Sequence, residues 1–231
     1  MMMKILFVSL LGGILGLDRV VMQVMLSRPI VAAPLVGLML GDVYTGLTAG
    51  ALLELFWIDR LPIGTCVPPN DFLVAVLVAS ASIITGQKLG HVSRELLAFS
   101  LLLYIPCGYL GEKMDSFIIK SNDALSEGAL RDAEKADTGG IFRKHLAGLA
   151  KTFISHAMFI LIFLSLGVIL LLHAFPLLPY FVVKALYFTS FFLPVLGVAA
   201  GLNTVNLRGA VPIFCALFLA VSLILELINV F

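Results

Sequence analysis

Charge is scarce in this chain. Asp, Glu, Lys and Arg make up only 13% of its 231 residues, about half the share usual in a soluble domain. The formal net charge is +1, so nothing points to nucleic acid as a partner. Cysteine is nearly absent. Cys66, Cys107 and Cys215 stand far apart and lack C-x-x-C spacing, which argues against a disulfide framework or a zinc site. Each reads as a small apolar packing residue. His91, His145, His156 and His173 show no H-E-x-x-H or similar ligand spacing, and no Walker-type glycine loop occurs. Neither a metal nor ATP is therefore expected, and no cofactor is implied. No Ser/His/Asp arrangement can be argued from the order, so the chain is not expected to be an enzyme.

What is abundant is hydrocarbon. Hydrophobic residues make up 61% of the chain and the mean hydropathy is +1.10. The expected class is an all-α polytopic membrane protein. A spanning helix needs about 20 mostly apolar residues, and 152–175, 178–202 and 210–231 qualify, with 96–110 a shorter fourth. The start of the chain resembles a signal peptide but offers no small-x-small cleavage site, and it reads as a retained helix.

The N-terminal third differs. Its apolar runs, 5–17, 29–40, 43–58 and 72–85, are short and interrupted, which suits broken or re-entrant helices. Gly37, Gly41, Gly46 and Gly50 fall at nearly helical spacing, and small residues let helix backbones approach closely. The segment 112–151 is the one long polar stretch. Its apolar residues recur at helical spacing on either side of Gly139-Gly140, predicting two amphipathic helices joined by a glycine turn. Its Lys and Arg place it in the cytoplasm. Its surface is open to two readings, a solvated cap or a docking site. If 96–110 is one span, Lys88, His91 and Arg94 then fall on the opposite side. One re-entrant segment resolves the parity, the sequence does not say which, and the side of the N-terminus stays open. The chain thus divides into a membrane region with broken helices (1–111), a polar cytoplasmic segment (112–151) and C-terminal spans (152–231).

Ionisable residues at membrane depth are costly and persist mainly where they face a protein interior or a polar cavity. Glu54 has no cation within a helical turn on its own face. It pairs with a distant base such as Arg28, is protonated, or faces a wet site. Arg28 reads as an interfacial anchor or as that counter-ion. Asp59-Arg60 and Asn70-Asp71 flank a turn holding Pro62, Gly64 and Pro69, and Gly41-Asp42 marks an earlier break. Carboxylates and amides suit polyhydroxylated ligands, and Trp57 suits a sugar's apolar face. Asn70 or Asp71 also suits the cap of a helix starting at Phe72, Asp71 more so. Asp18 and Gln23 sit in the first apolar region. The candidate ligand-binding set is therefore Glu54, Asn70, Asp71, Asp59, Trp57, Gln23 and Asp18, with Gly41, Pro62, Gly64 and Pro69 as hinge positions.

The ordered residues Ser27-Arg28-Pro29, Val36-Gly37-Leu38-Met39-Leu40-Gly41-Asp42, Thr45-Gly46, Leu53-Glu54-Leu55 and Pro62-Ile63-Gly64, leading to Pro68-Pro69-Asn70-Asp71, resemble the IIC component of mannose/sorbose-family phosphotransferase (PTS) sugar transporters. The resemblance implies a multi-pass protein of the bacterial inner membrane that binds and moves a hexose or related sugar. It also implies a IID membrane partner, trimers of IIC–IID pairs, an elevator-like movement, and cytoplasmic IIA and IIB components that relay phosphate from phosphoenolpyruvate. Glu54 matches the family's acid. Asn70 stands where many members carry Asp, and Gln23 is the candidate equivalent of a sugar-facing glutamine, in a segment, 18–28, that is spaced differently from the mannose transporters. Two other readings stay open: a regulatory or scaffolding membrane subunit that recruits IIA/IIB through 112–151, and an ion-coupled secondary transporter using Glu54 or Asp59.

Overall fold

The computed structural model describes residues 1–60 and 67–205, with isolated positions at 212, 216 and 220. Pro62 and Gly64, and nearly all of the expected 210–231 span, lie outside the described residues. Seven α-helices are described: α1 (Met2–Gly16), α2 (Pro29–Leu40), α3 (Val43–Phe56), α4 (Asp71–Leu89), α5 (Arg94–Glu134), α6 (Thr138–Ala174) and α7 (Tyr180–Val205). There is no strand among the described residues. Helices α4 to α7 are each long and apolar enough to cross a membrane.

α4 is the axis of the bundle. Every residue from 72 to 86 is buried, and α1, α2, α3, α5 and α6 all pack against it. A helix apolar on every face is stable only when surrounded in this way.

The expected break in the N-terminal third is a hairpin. Pro29 opens α2 at a position where its missing N–H costs nothing. Gly41 closes α2 in the left-handed conformation, at φ +87°. Asp42 then caps α3: one carboxylate oxygen accepts from the Thr45 N–H at 3.0 Å and the other from the Thr45 hydroxyl at 2.6 Å. At 1.5 Å per residue the two helices reach roughly 18 and 21 Å, short of the roughly 30 Å hydrocarbon core. Glycines bring their backbones together. A Cβ at Gly46 would lie 2.5 Å from the Ala33 carbonyl oxygen, one at Gly37 2.6 Å from that of Asp42, and one at Gly50 would press on that of Pro29.

Hydrogen bonds set the levels of the elements. Lys4 donates to Gln87 at 2.5 Å, and Gln87 donates to the Leu40 carbonyl at 2.7 Å. The start of α1, the end of α4 and the hairpin tip therefore share one end of the bundle. The loop carrying His91 lies there too. α5 runs back to the other end and continues past it.

The polar segment has a different construction from the expected one. α5 and α6 pass from apolar to polar sequence without a break, so the amphipathic pair is a direct extension of two spanning helices. Its turn is at 135–137, not at Gly139-Gly140. Ala136 takes φ 55°, and Asp137 caps α6 through the Gly140 N–H at 2.9 Å. Both glycines lie in the first turn of α6, because an Asx cap starts a helix more effectively than glycine stops one. Lys144 pairs with Asp132, and Lys151 donates to the Asn122 side chain at 2.9 Å. The segment thus lies at the opposite end from Lys88, His91 and Arg94, and the charge conflict read from the sequence is present in the structure.

Candidate functional site

The ends of α1 and α3, the starts of α2 and α4, and the middle of α5 meet in one polar layer. The layer begins at Asp18, in a short 3₁₀ turn after α1. This carboxylate is 5% exposed and accepts from the Val24 N–H (2.9 Å), the Ser27 N–H (3.1 Å) and the Ser27 hydroxyl (3.2 Å). Asp18, expected to face a ligand, instead folds its own loop, because a buried carboxylate must be satisfied by whatever donors lie nearest. The same loop holds Gln23 at φ 53° on the exposed surface, its amide 3.4 Å from the Arg19 carbonyl.

Glu54 finds its cation across the hairpin. One carboxylate oxygen pairs with Arg28, the residue that precedes α2, and the other accepts the Ile30 N–H at 3.3 Å. Ile30 is in the first turn of α2, where free N–H groups and the helix dipole favour an anion. The counter-ion reading of Arg28 is therefore the one observed. A carboxylate offers about four acceptor sites, so Glu54 retains capacity for hydroxyl donors.

One turn beyond Glu54, Trp57 is buried. Its indole lies over Gly108 of α5, where an added Cβ would come within 3.3 Å, and it meets Phe56 edge-on at 5.1 Å. A flat ring needs a flat surface, and glycine supplies one. In this conformation Trp57 is a core residue and presents no face to a ligand. Asp59 is exposed beside Arg60, 3.6 Å away.

Asp71, the favoured cap candidate, does not hold the N-cap of α4. Asn70 is the α4 cap, its side-chain oxygen accepting the Leu73 N–H at 3.0 Å. Its amide donates to Asp115 of α5 at 2.7 Å, and its backbone N–H donates to the Gly108 carbonyl at 2.9 Å. Asp71 is the first residue of α4 and pairs with Arg19. Pro69 directly precedes this cap. Arg19 also lies 3.8 Å from Asp115 and 5.9 Å from the centre of the Phe72 ring. His156 of α6 completes the group, its Nε2 3.5 Å from Asp115. The Thr152 carbonyl, 2.9 Å from His156 Nδ1, can only accept, so Nδ1 carries a hydrogen. Nε2 has no hydrogen-bond partner among the described residues.

The structure therefore brings together Asn70 and Asp71, joins Glu54 to Arg28 nearby, and leaves Gln23 and Asp59 on the surface. Two clefts of about 290 and 330 Å³ are found elsewhere, and neither is lined by Glu54, Asn70 or Asp71. Among the described residues most groups of the polar layer are paired with one another, and Asn70 within it is fully buried. Asp115 and His156 were missed in the sequence. A signal was present: Gly108, Gly111 and Asp115 fall at i, i+3 and i+7 on α5, a stripe of small residues ending in an acid.

Among the described residues, four helices long and apolar enough to span, a hairpin of two shorter ones and acids paired between the broken ends fit a multi-pass membrane protein of the transporter kind. The family model described as the PTS system sorbose-specific IIC component matches residues 2–230. The chain belongs to that family, and is thus a transport subunit of the mannose/sorbose phosphotransferase class. It is 24% identical to the sorbose-specific EIIC component of Klebsiella pneumoniae over 219 residues, 94% of this chain and 79% of that protein. Over 80 residues, 35% of this chain, it is 38% identical to an N-acetylgalactosamine permease IIC component of Escherichia coli (strain K12), spanning 60% of that relative. Among solved structures, one titled as a membrane protein matches with TM-score 0.73 at 22% identity, covering 98% of this chain and 92% of that one. The mannose transporter ManYZ in complex with microcin E492 matches with TM-score 0.62 at 22% identity, covering 96% and 87%.

Proposed function

We propose that this chain binds a hexose or related sugar and carries it across the bacterial inner membrane as the IIC subunit of a phosphoenolpyruvate-dependent system. A IID membrane component completes the transporter, IIC–IID pairs assemble as trimers, and cytoplasmic IIA and IIB components deliver the phosphoryl group. The observation that carries the reading is the polar layer itself. Glu54, Asn70 and Asp71 lie at broken helix ends inside an otherwise apolar bundle, where such groups persist for function. They are paired within the protein in the closed arrangement, and sugar hydroxyls replace part of that pairing when the layer opens. The α2–α3 hairpin, held together by backbone contact, suits an elevator-like movement as one piece. The resemblance to a solved mannose transporter named as a pair, ManYZ, supports the IID partner. The projecting α5–α6 extension suits contact with the cytoplasmic components.

The test is Glu54→Gln in the chain co-expressed with a IID partner. The neutral amide keeps the shape and loses the charge opposite Arg28. Sugar binding and phosphoenolpyruvate-dependent uptake are expected to fall at least about tenfold, the scale of a lost charged hydrogen bond, with expression and assembly retained. Wild-type binding in this variant removes Glu54 from the site. Uptake that ignores phosphoenolpyruvate and collapses with the proton gradient replaces the reading with ion-coupled transport.

A further inference from the structure

We propose that Asp115 is a positioning residue that sets which way the Asn70 amide faces, and so fixes the order of hydrogen-bond donor and acceptor offered to a sugar. The inference rests on the transport reading above and adds a specificity determinant to it.

An amide turned by half a revolution exchanges a donor for an acceptor at almost no change in shape. At Asn70 two contacts oppose that turn. The oxygen accepts the Leu73 N–H at 3.0 Å, and the nitrogen donates to Asp115 at 2.7 Å. As a carboxylate Asp115 accepts only, and so holds the nitrogen end. The backbone is fixed from the same helix, because the Asn70 N–H donates to the Gly108 carbonyl at 2.9 Å. Gly111 permits this approach, since a Cβ there would lie 2.7 Å from the Asn70 Cβ.

Asp115 is itself fixed from two further elements. Arg19, already paired with Asp71, stands 3.8 Å from one oxygen, and the buried His156 ring stands 3.5 Å from the other. Gly16 of α1 brings that ring in, a Cβ there lying 3.0 Å from it. One carboxylate of α5 thus ties the turn after α1, the start of α4 and α6 around a single amide. Among the described residues Asn70 leaves one N–H and one oxygen lone pair without a partner, and because its side chain is fully buried here they face a ligand only when the layer opens. Held in a fixed order, they suit two sugar hydroxyls, one accepting and the other donating. A site built to hydrogen-bond a hydroxyl in this way discriminates strongly against an analogue that lacks it.

The experiment exchanges the two groups in the chain co-expressed with its membrane partner. Asn70→Asp alone sets two carboxylates against each other, and its melting temperature is expected to fall by several degrees with uptake largely lost. Asn70→Asp combined with Asp115→Asn restores the contact with donor and acceptor reversed. The double variant is expected to melt within a few degrees of the unaltered chain. Its KM for sugar stays raised on the order of tenfold at near-normal maximal rate, since position 70 now offers acceptors alone. A double variant no more stable than Asn70→Asp overturns the coupling. One that regains the original KM along with its stability reduces Asp115 to a brace without influence on the ligand. An unaltered chain that binds no sugar defeats the transport reading and removes the ligand from this inference. The melting comparison needs no sugar and still decides whether Asp115 holds position 70.

Discussion

α4 and α7 are similarly apolar helices with opposite surroundings. The spanning stretch of α4 is 83% buried in the chain and that of α7 only 11%. Along α4 the buried residues are mostly small or β-branched, with Ser80, Ser82 and Thr85 among them. α7 turns Tyr180, Phe181, Phe188 and Phe192 outward. Hydropathy marks both as membrane helices. Side-chain size separates them, because lipid tails are as apolar as leucine and helices meet by packing rather than by escape from water. The centre of the bundle is where helices can come close.

The comparison can be broken at three places. The largest effect is expected from Ala79→Trp on α4. The site is fully buried and has no room, so overpacking should cost about 3 kcal/mol or more, seen as loss of folded protein from membranes and a much lower melting temperature in detergent. Asp42→Ala, at the hairpin tip beside the end of α4, removes a helix cap. It should cost about 1 kcal/mol, read as a smaller melting shift and faster hydrogen exchange at the start of α3. Phe192→Ala on the outward face of α7 should stay within about 0.5 kcal/mol of the unaltered chain, by the same melting measurement. If Phe192→Ala matches Ala79→Trp, size is not what sets position in this bundle.

Much of the fold was legible because its signals are local. Pro29, Gly41 and Asp42 each act within one turn, and together they spell out a hairpin. The seam glycines were read as helix packing, and that is what they do. Arg28 was named as a possible counter-ion to Glu54 because the charge had to be answered somewhere. Other features were not local. The polar stretch beyond 112 looked like separate helices because polarity changes there, yet polarity reports the surrounding medium and leaves the α5 backbone unbroken. Asn70 and Asp71 both suit a cap, and the choice fell to their partners: Asp115 draws the Asn70 amide and Arg19 draws the Asp71 carboxylate. Those partners are 45 and 52 residues distant in sequence. Asp115 was therefore counted as one acid among several, and His156 as an isolated ring.

The hairpin seam carries a mechanical implication. Where two backbones touch with no side chains between them, there is no slip plane, and the pair deforms less readily than helices spaced by flexible leucines. The Arg28–Glu54 junction and the Gly41–Asp42 tip therefore behave as two ends of one stiff strut about 20 Å long. The Gln87 amide that grips Leu40 adds a polar tie at the tip to the packing of both hairpin helices on α4.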